Sequence, residues 1–146
     1  MRNDFVYLVQ TDTTVGFLSA DASRLSVLKG RPDHKPFLRV VDSLSTLKTL
    51  VRPPRSSHRL IRYAQKHTFI YPYVGAIRVV ATGEHHEFLA NFGHLYSTSA
   101  NPSGGDFDHS FAVEQADVIV ETPQGFSPTI SSALIKLGKG RHRRLR

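Results

Sequence analysis

The feature that most constrains this chain is the alternation of strand-like and helix-like segments along its whole length. Short apolar runs rich in β-branched and aromatic residues alternate with segments of helical period, and no repeat, low-complexity tract or long linker divides them. The strand-like runs occupy residues 4–11, 36–41, 68–72, 74–81, 95–100 and 117–122. This pattern predicts one α/β domain over residues 1–146, of mixed α+β order, with its helices layered on a mixed sheet.

Helix signals lie between these runs. We predict helices over residues 19–30, 43–51, 56–67, 83–93 and 111–116. Ser19 or Asp21 can cap the first helix and Gly30 can end it. The polar segment TDTTVG before this helix is interpreted as a turn that follows the first strand. Near the end of the chain, the segment 129–140 is expected to begin as a strand, and residues 142–146 are expected to add an edge strand.

The positive charge of the chain is unevenly spread. The formal net charge is +7, with a pI near 10.1. No acidic residue lies between Asp42 and Glu84 or after Glu121, and the chain closes with GKGRHRRLR, the basic C-terminal end 138–146. Acid-free basic stretches of this kind favour an anionic partner, which is a nucleotide, an RNA or both, although a solvated surface has the same composition.

Two further features of the composition exclude classes of protein. The chain has no cysteine, so disulfides and thiolate metal sites are excluded. No apolar run approaches the roughly 20 residues that a membrane-spanning helix needs, and the N-terminus lacks the apolar core of a signal peptide. We therefore expect a cytoplasmic protein with no membrane partner.

Polar loops follow several of the predicted strands, where α/β sheets usually bind ligands. They are QTDTT, STSANPSGG and QGFSPT, and their hydroxyl and backbone N–H groups can hold phosphate or carboxylate. The segment KGRPDHKPF adds the charges of Lys29, Arg31 and Lys35, and its prolines reduce the entropy lost when a ligand binds. Together these loops predict an anion pocket with small, uncharged walls.

In this order the motifs resemble those of the YrdC-like threonylcarbamoyl-AMP synthases. The matching segments are TDTTVG, KGRPDHKPF, AIRVV, STSANPSG and PTI, and they extend from Val6 to about Ile130. The resemblance implies a single three-layer domain in which a twisted mixed sheet carries helices on its faces and encloses a large, positively charged concave cavity.

The resemblance also implies a reaction, in which threonine, bicarbonate and ATP give threonylcarbamoyl-adenylate and pyrophosphate. Other proteins, the downstream threonylcarbamoyl transferases, then modify adenosine 37 of tRNA. ATP would arrive with Mg²⁺, and the chemistry requires no protein nucleophile, no resident metal and no permanently bound cofactor. The alternative is a YrdC-like protein that binds nucleotide, tRNA or double-stranded RNA without full synthase activity.

Position by position, the resemblance assigns two groups of ligand-binding residues. The expected threonine contacts are Thr13, Arg78 and Ser97. The expected ATP contacts are Lys29, Arg31, Lys35, Ser99, Asn101 and Arg146. Lys29 and Arg31 match residues that hold phosphates, whereas Arg78 matches an arginine that pairs with the threonine carboxylate.

The chain departs from the family pattern mainly around the amino-acid end of the expected site. Gln10 stands where a proline is usual, Val15 replaces an aromatic residue, and Pro128 replaces a serine, with Ser127 one place early. RYAQKHTFIYP stands where a Trp-Pro-Gly-Pro-Leu-Thr segment is usual, and the first helix is several residues short.

Arg78 and the tail each leave alternatives open. Period-2 alternation puts Arg78 on the strand face opposite Ile77 and Val79, where a charged side chain needs either solvent or an anion. For the tail, one expectation is that Arg146 returns to ATP, as the C-terminal Leu-Arg does in longer family members. Alternatively, the tail and the 52–66 stretch attract tRNA together, or the tail is a frayed basic end.

Several polar or aromatic clusters receive structural rather than functional interpretations. We expect His85, His86 and Glu87 to be exposed helix residues rather than a metal site. Asp108 is expected to cap a helix. The aromatic residues Phe69, Tyr71 and Tyr73 are expected in the core or on an edge strand rather than in a base-stacking platform.

Overall fold

The computed structural model describes residues 2–32 and 34–146, and within them the chain forms nine strands, five α-helices and one 3₁₀ turn. The strands are β1 Tyr7–Gln10, β2 Val15–Ser19, β3 Leu38–Val41, β4 His67–Tyr71, β5 Gly75–Val79, β6 His94–Ser99, β7 Val118–Val120, β8 Ala133–Gly138 and β9 Arg141–Arg144. The helices are α1 Ala22–Lys29, α2 Leu44–Leu50, α3 His58–Tyr63, α4 Glu84–Leu89 and α5 His109–Gln115, and the 3₁₀ turn is Arg55–Ser57.

All of these strands join one mixed sheet, as the sequence pattern predicts. Their spatial order is β7-β1-β2-β6-β3-β5-β4-β8-β9. The pairs β1–β7, β3–β5 and β4–β8 are parallel, whereas the neighbouring pairs between them are antiparallel. The chain therefore folds as a single small domain built on a mixed sheet, in agreement with the expected fold class.

Helices cover the two faces of the sheet unequally, because successive strand residues point to opposite sides. On one face, α1 and α5 pack against β1 and β2, and α2 and α3 pack against β3, β4, β5 and β8. On the other face, Phe88 and Leu89 of α4 pack against Leu18, Val40 and Leu95. This second face also carries Arg78 and Ser97, which line a cavity beside the α4 contact.

The helix ends agree with the predicted capping residues. Asp21 caps α1, since its carboxylate accepts a hydrogen bond from the Ser23 N–H, and Gly30 ends the helix with a left-handed φ of 58°. Asp108 caps α5 by accepting a hydrogen bond from the Phe111 N–H. Phe69 and Tyr71 are buried as predicted, but Tyr73 is fully exposed in the β4–β5 turn, so its prediction is wrong.

The sequence analysis missed β2. The segment TDTT does form a turn, but Val15 to Ser19 then continue as a strand that is buried along its whole length. Ser19 is therefore the last residue of a strand and not a helix cap. β2 is covered on both faces, with Phe17 in one apolar cluster and Leu18 in the other, so it shows no period-2 alternation. Its five residues are too few to distinguish it from the start of a helix.

The basic end of the chain is an ordered edge strand rather than a frayed tail. β9 pairs antiparallel with β8, from Gly138 opposite Arg141 to Ile135 opposite Arg144. Beyond β9, the backbone of Leu145 and Arg146 still bonds to Leu134. None of the helices in the described part of the chain has the length and apolar character to span a membrane.

Candidate functional site

Polar loops and strand ends enclose a cavity of about 240 Å³ on the sheet face that carries Arg78. Its lining is made mainly of hydroxyl side chains and arginines, and more of its surface is polar than apolar. The lining residues are Thr11, Thr13, Thr14, Gly16, Arg31, Leu38, Arg78, Ser97, Thr98, Ser99, Ser131, Ser132 and Arg146. We call this space the arginine cavity.

The β1–β2 turn forms one wall of this cavity and is held by the Thr11 hydroxyl. That oxygen accepts hydrogen bonds from the backbone N–H groups of Thr13 and Thr14, at 3.2 and 3.1 Å. Gly16 allows the turn to lie close to β6, since a Cβ there would come within 3.0 Å of Thr11 Cγ2 and 3.3 Å of the Thr98 carbonyl oxygen. The predicted threonine contact Thr13 is consequently fixed in the cavity wall, where it is buried.

Lys29 lies just behind the wall that Ser99 provides. It is the last residue of α1, only 5% of it is exposed, and its ammonium donates hydrogen bonds to the carbonyl oxygens of Ser99 and Asn101, at 3.1 and 2.6 Å. Burial, with a smaller contribution from the nearby charge of Arg31, lowers the pKa of Lys29. Because both protein partners are neutral, the positive charge of Lys29 is not cancelled by a carboxylate.

Arg31 lines the cavity two residues after the end of α1. The left-handed Gly30 turns the chain, and the Arg31 backbone N–H then donates to the Ser26 carbonyl oxygen at 3.0 Å. The guanidinium carbon lies 5.4 Å from the centre of the Phe37 ring, within range of a cation–π contact. Arg31 is therefore oriented by its own helix end and by the start of the next strand.

Arg78 is buried in β5, with 3% of it exposed. Its Nη2 lies 3.1 Å from the Asp12 carboxylate, which satisfies the expectation that a buried charge on this face needs an anion. The solvent alternative for Arg78 is therefore wrong. Within the described chain its Nε finds no hydrogen-bond partner.

Asp12 also contacts His85, which the sequence analysis placed on the helix surface. That interpretation is wrong: His85 is 3% exposed, and its Nδ1 lies 3.1 Å from Asp12 Oδ1. Burial lowers the pKa of His85. The signal that could have found it is helical spacing, because His85 shares the apolar face of α4 with the buried Phe88 and Leu89.

The end of the chain completes the arginine cavity. Arg146 lines it, and its Nε donates to the Ser132 carbonyl oxygen at 3.0 Å. Backbone hydrogen bonds to Leu134 hold this terminal residue in line with β8. The predicted return of Arg146 to the site thus follows from strand pairing by β9.

Besides Lys29, which lies behind the wall, two predicted ATP contacts are outside the cavity lining. Lys35 is exposed beside a separate groove of about 280 Å³, which α1, Phe37, Arg39, Val74 and Tyr96 also line. The Asn101 amide donates to the carbonyl oxygens of Pro102 and Gly105, so it shapes the loop after β6. The sequence-predicted residues that the structure brings together are Thr13, Arg31, Arg78, Ser97, Ser99 and Arg146.

The unusual residues of the chain have structural roles near this site. Gln10 accepts a hydrogen bond from the Ser127 N–H through its Oε1, at 2.8 Å, which ties the end of β1 to the QGFSPT loop. Ser127 and Pro128 do not line the cavity; Ser131 and Ser132 do, and the sequence analysis missed both. The Ser132 hydroxyl lies 2.8 Å from that of Thr68.

A larger and somewhat more enclosed cavity of about 500 Å³ adjoins the first. Asp12 and His85 line it, together with aliphatic residues and the exposed Arg62 and Lys66 of the basic middle stretch. Few of the sequence-predicted site residues reach it, so we place the candidate site in the smaller, more polar arginine cavity. Across residues 2–32 and 34–146, no group of three or more His, Asp or Glu residues is arranged to hold a metal ion.

The fold is that of a YrdC-like α/β domain. The model of the Sua5/YciO/YrdC family, described as telomere recombination, matches residues 1–141. The chain therefore belongs to the Sua5/YciO/YrdC family. No curated protein matches the sequence at a significant level.

Solved structures share this fold at low sequence identity. P. abyssi Sua5 complexed with L-threonine matches with a TM-score of 0.76 at 19% identity, over 97% of this chain and 50% of the other. E. coli YciO matches with a TM-score of 0.77 at 18% identity, over 98% and 82% of the two chains. Full-length HypF in the phosphate- and nucleotide-bound form matches with 0.75 at 16% identity, over 97% and 26%. The chain spans about half the length of the P. abyssi Sua5 chains.

Proposed function

We propose that the protein is an L-threonylcarbamoyladenylate synthase, a nucleotidyltransferase that makes threonylcarbamoyl-AMP from threonine, bicarbonate and ATP for tRNA modification. The observation that carries this proposal is the convergence of Arg31, Arg78 and Arg146 with a set of hydroxyl groups in one cavity. Membership of the family and the likeness to a Sua5 complexed with L-threonine support it.

Different residues of the arginine cavity suit different anions. Arg31 and Arg146, with Lys29 behind Ser99, provide positive charge for the phosphates of Mg²⁺-bound ATP. Arg78, whose charge lies close enough to that of Arg146 to interact with it, pairs with the threonine carboxylate, and Thr13 and Ser97 supply hydroxyl groups. Lys35 and Asn101 act only indirectly, because Lys35 lies beside a separate groove and Asn101 shapes the loop after β6.

The proposed chemistry needs alignment and charge neutralisation rather than a nucleophilic side chain. The threonine amine adds to bicarbonate carbon with loss of water, and an oxygen of the resulting carbamate attacks the α-phosphorus of ATP. The bond between the α-phosphorus and the α,β-bridging oxygen breaks, and pyrophosphate leaves with the electron pair of that bond. Fixed arginines stabilise the charge that develops on the phosphates. We further propose that the product passes to transferase proteins in the cytoplasm.

The direct test is an assay with purified protein, ATP, bicarbonate and labelled threonine, scored for both adenylate and pyrophosphate. The Arg31→Ala variant should lose at least about tenfold in turnover, because a charge-assisted hydrogen bond is worth roughly 1.5–3 kcal/mol. Arg59→Ala, which removes an exposed arginine of α3, is the matched control and should retain activity. No threonine-dependent product from the wild-type chain, or equal activity in Arg31→Ala, would contradict the proposal.

A specific observation favours a second candidate function, RNA binding. β9 is exposed along its length and lies beside the Arg55–Ser57 turn, so the basic tail adjoins the basic middle stretch in space. Exposed Arg55, Arg59 and Arg62 continue that surface. An RNA-binding protein without synthase activity would form no adenylate, and its affinity for tRNA would fall steeply with salt.

A further inference from the structure

Two side chains, Asp12 and His85, lie behind Arg78 and do not line the arginine cavity. Asp12 Oδ1 lies 3.1 Å from Arg78 Nη2 and also 3.1 Å from His85 Nδ1. One carboxylate oxygen therefore joins a cavity-lining arginine on β5 to a buried histidine on α4. We call Asp12, Arg78 and His85 the buried triad.

The carboxylate in this triad is needed to keep Arg78 charged where it lies. Only 3% of Arg78 is exposed, and a buried guanidinium is strongly destabilising unless a nearby anion and hydrogen bonds compensate it. Asp12 supplies that anion, and the pKa of Asp12 is lowered by the His85 hydrogen bond and by the charge of Arg78, despite opposition from burial. Burial lowers the pKa of Arg78 and the charge of Asp12 opposes that shift.

A neutral His85 ring carries its proton on either Nδ1 or Nε2, and the neighbouring atoms determine which. Its Nδ1 lies 3.1 Å from the Asp12 carboxylate and 3.2 Å from the Asp12 backbone nitrogen, but one ring nitrogen cannot accept and donate at the same time. If Nδ1 accepted from the backbone, its lone pair would face the carboxylate, and a buried Nε2–H would have no acceptor among the described residues. A proton on Nδ1 removes that repulsion and leaves two weaker deficits: an unused lone pair on Nε2, and an Asp12 backbone N–H that can no longer donate to Nδ1.

We infer that His85 donates from Nδ1–H to Asp12, and that these two residues are positioning residues that orient the Arg78 guanidinium toward the carboxylate substrate. This inference rests on the proposed function for the identity of that substrate. Because both Arg78 and His85 contact the Asp12 carboxylate, that carboxylate cannot rotate freely. His85 is held on α4, so α4 fixes, through Asp12, the direction in which Arg78 presents its remaining N–H groups to the cavity. Neither positioning residue contacts the reacting atoms.

The first experiment measures positioning without any turnover. Nitrogen-15 NMR of the wild-type protein reports which ring nitrogen of His85 carries the proton, and it detects the Nε–H of Arg78 when that side chain is immobile. We expect the Nδ1–H tautomer and a resolved Arg78 Nε–H signal. The signal should vanish in His85→Leu and return in His85→Asn, whose amide nitrogen can take the place of Nδ1. An Nε2–H tautomer, or an unchanged Arg78 signal in His85→Leu, would overturn the inference.

The second experiment separates the two substrates. Asp12→Asn and His85→Leu should raise KM for threonine by about tenfold or more and change KM for ATP by less than about twofold, as expected when one charge-assisted contact is lost at one end of a site. His85→Asn should recover most of the threonine KM. His86→Leu, which removes the neighbouring ring on the same helix, is the control. An equal rise in both KM values would overturn the inference.

These experiments also distinguish failure of the inference from failure of the proposed function. If the wild-type chain makes no adenylate, the proposed function fails, while the NMR results still decide whether Asp12 and His85 hold Arg78. If His85→Leu does not fold, Asp12→Asn keeps the shape of the triad and removes its charge. In that variant a retained Arg78 Nε–H signal counts against the inference, and its loss supports it.

Discussion

Lys29 and Arg78 are both buried cations at the arginine cavity, yet the protein compensates their charges in different ways. Lys29 is 5% exposed and donates to the carbonyl oxygens of Ser99 and Asn101, whereas Arg78 is 3% exposed and pairs with the Asp12 carboxylate. The Lys29 end therefore keeps an uncompensated positive charge, whereas the charge of Arg78 is already compensated by a carboxylate. This difference suits a polyanion at the first end and a single carboxylate at the second.

The same difference determines how each buried cation affects the stability of the folded protein. Carbonyl dipoles leave Lys29 with a desolvation penalty, and burial accordingly lowers its pKa. A bound phosphate would relieve that penalty, so ligand binding and stability should be linked more strongly at Lys29 than at Arg78. At Arg78, in contrast, stability depends on an ion pair that is complete before any ligand arrives.

The largest expected effect comes from breaking that ion pair. Arg78→Met should destabilise the fold by about 3–5 kcal/mol, because it leaves the Asp12 carboxylate without its cation in a mostly buried position. Adding Asp12→Asn to Arg78→Met should recover part of the loss. Urea denaturation of the two variants measures both steps, and a double variant no more stable than Arg78→Met would contradict this account of the ion pair.

Lys29→Met should have a smaller effect on stability. It removes two hydrogen bonds to carbonyl oxygens but also an uncancelled buried charge, so we expect a net loss of about 1–3 kcal/mol. Inorganic pyrophosphate should stabilise the wild-type protein against heat and should stabilise Lys29→Met much less. If Lys29→Met proves the less stable of the two methionine variants, the comparison between neutral and charged compensation is wrong.

The sequence predicted the Arg78 end and the Lys29 end to different degrees. Alternation in AIRVV was enough to say that Arg78 faces away from Ile77 and needs either solvent or an anion, and the structure shows that its partner is an anion. That the partner is Asp12 depends on the fold, because the β1–β2 turn and β5 are distant in sequence. For Lys29, the following Gly30 predicted the helix end, but the carbonyl partners of Lys29 come from the end of β6 and the loop after it.

The strands illustrate the same limit. The longer apolar runs could be predicted as strands, including β1, which is buried on both faces. In contrast, β2 has only five residues, and its burial on both faces removes the alternation that would separate it from the start of a helix. His85 was missed because its polar side chain was assigned to the surface, although its spacing from Phe88 and Leu89 places it on the apolar helix face. For β2 the tertiary fold decided the outcome, whereas for His85 the sequence already contained the signal.

The pH dependence of the free energy of unfolding tests the buried groups beside Arg78. The pKa of His85 is lowered from its usual value of 6.5, mainly by burial. Below pH 6.5 the unfolded chain takes up a proton that the folded protein does not, so stability should fall with decreasing pH, by up to about 1.4 kcal/mol per pH unit for this one group.

The control for this titration is His85→Asn, which should flatten the slope. Burial also lowers the pKa of His94, but His94 is present in both proteins, so the difference between their slopes isolates His85. Denaturation midpoints measured between pH 7 and pH 5 provide the comparison. Identical slopes would show that His85 takes up its proton in the folded state and that the buried triad tolerates the charge.

The smallest effect is expected at Lys35, which lies in the same KGRPDHKPF segment as Lys29 and Arg31. Among the described residues, its ammonium has neither a carbonyl oxygen nor a carboxylate as partner. It is exposed and lies beside the groove between α1 and β3, so its charge is hydrated and screened by salt. Lys35→Ala should therefore change KM for ATP by less than about twofold and leave the melting temperature unchanged. A tenfold rise in KM at low salt would instead mean that the loop closes over the bound nucleotide, and that exposed and buried cations act on the phosphates together.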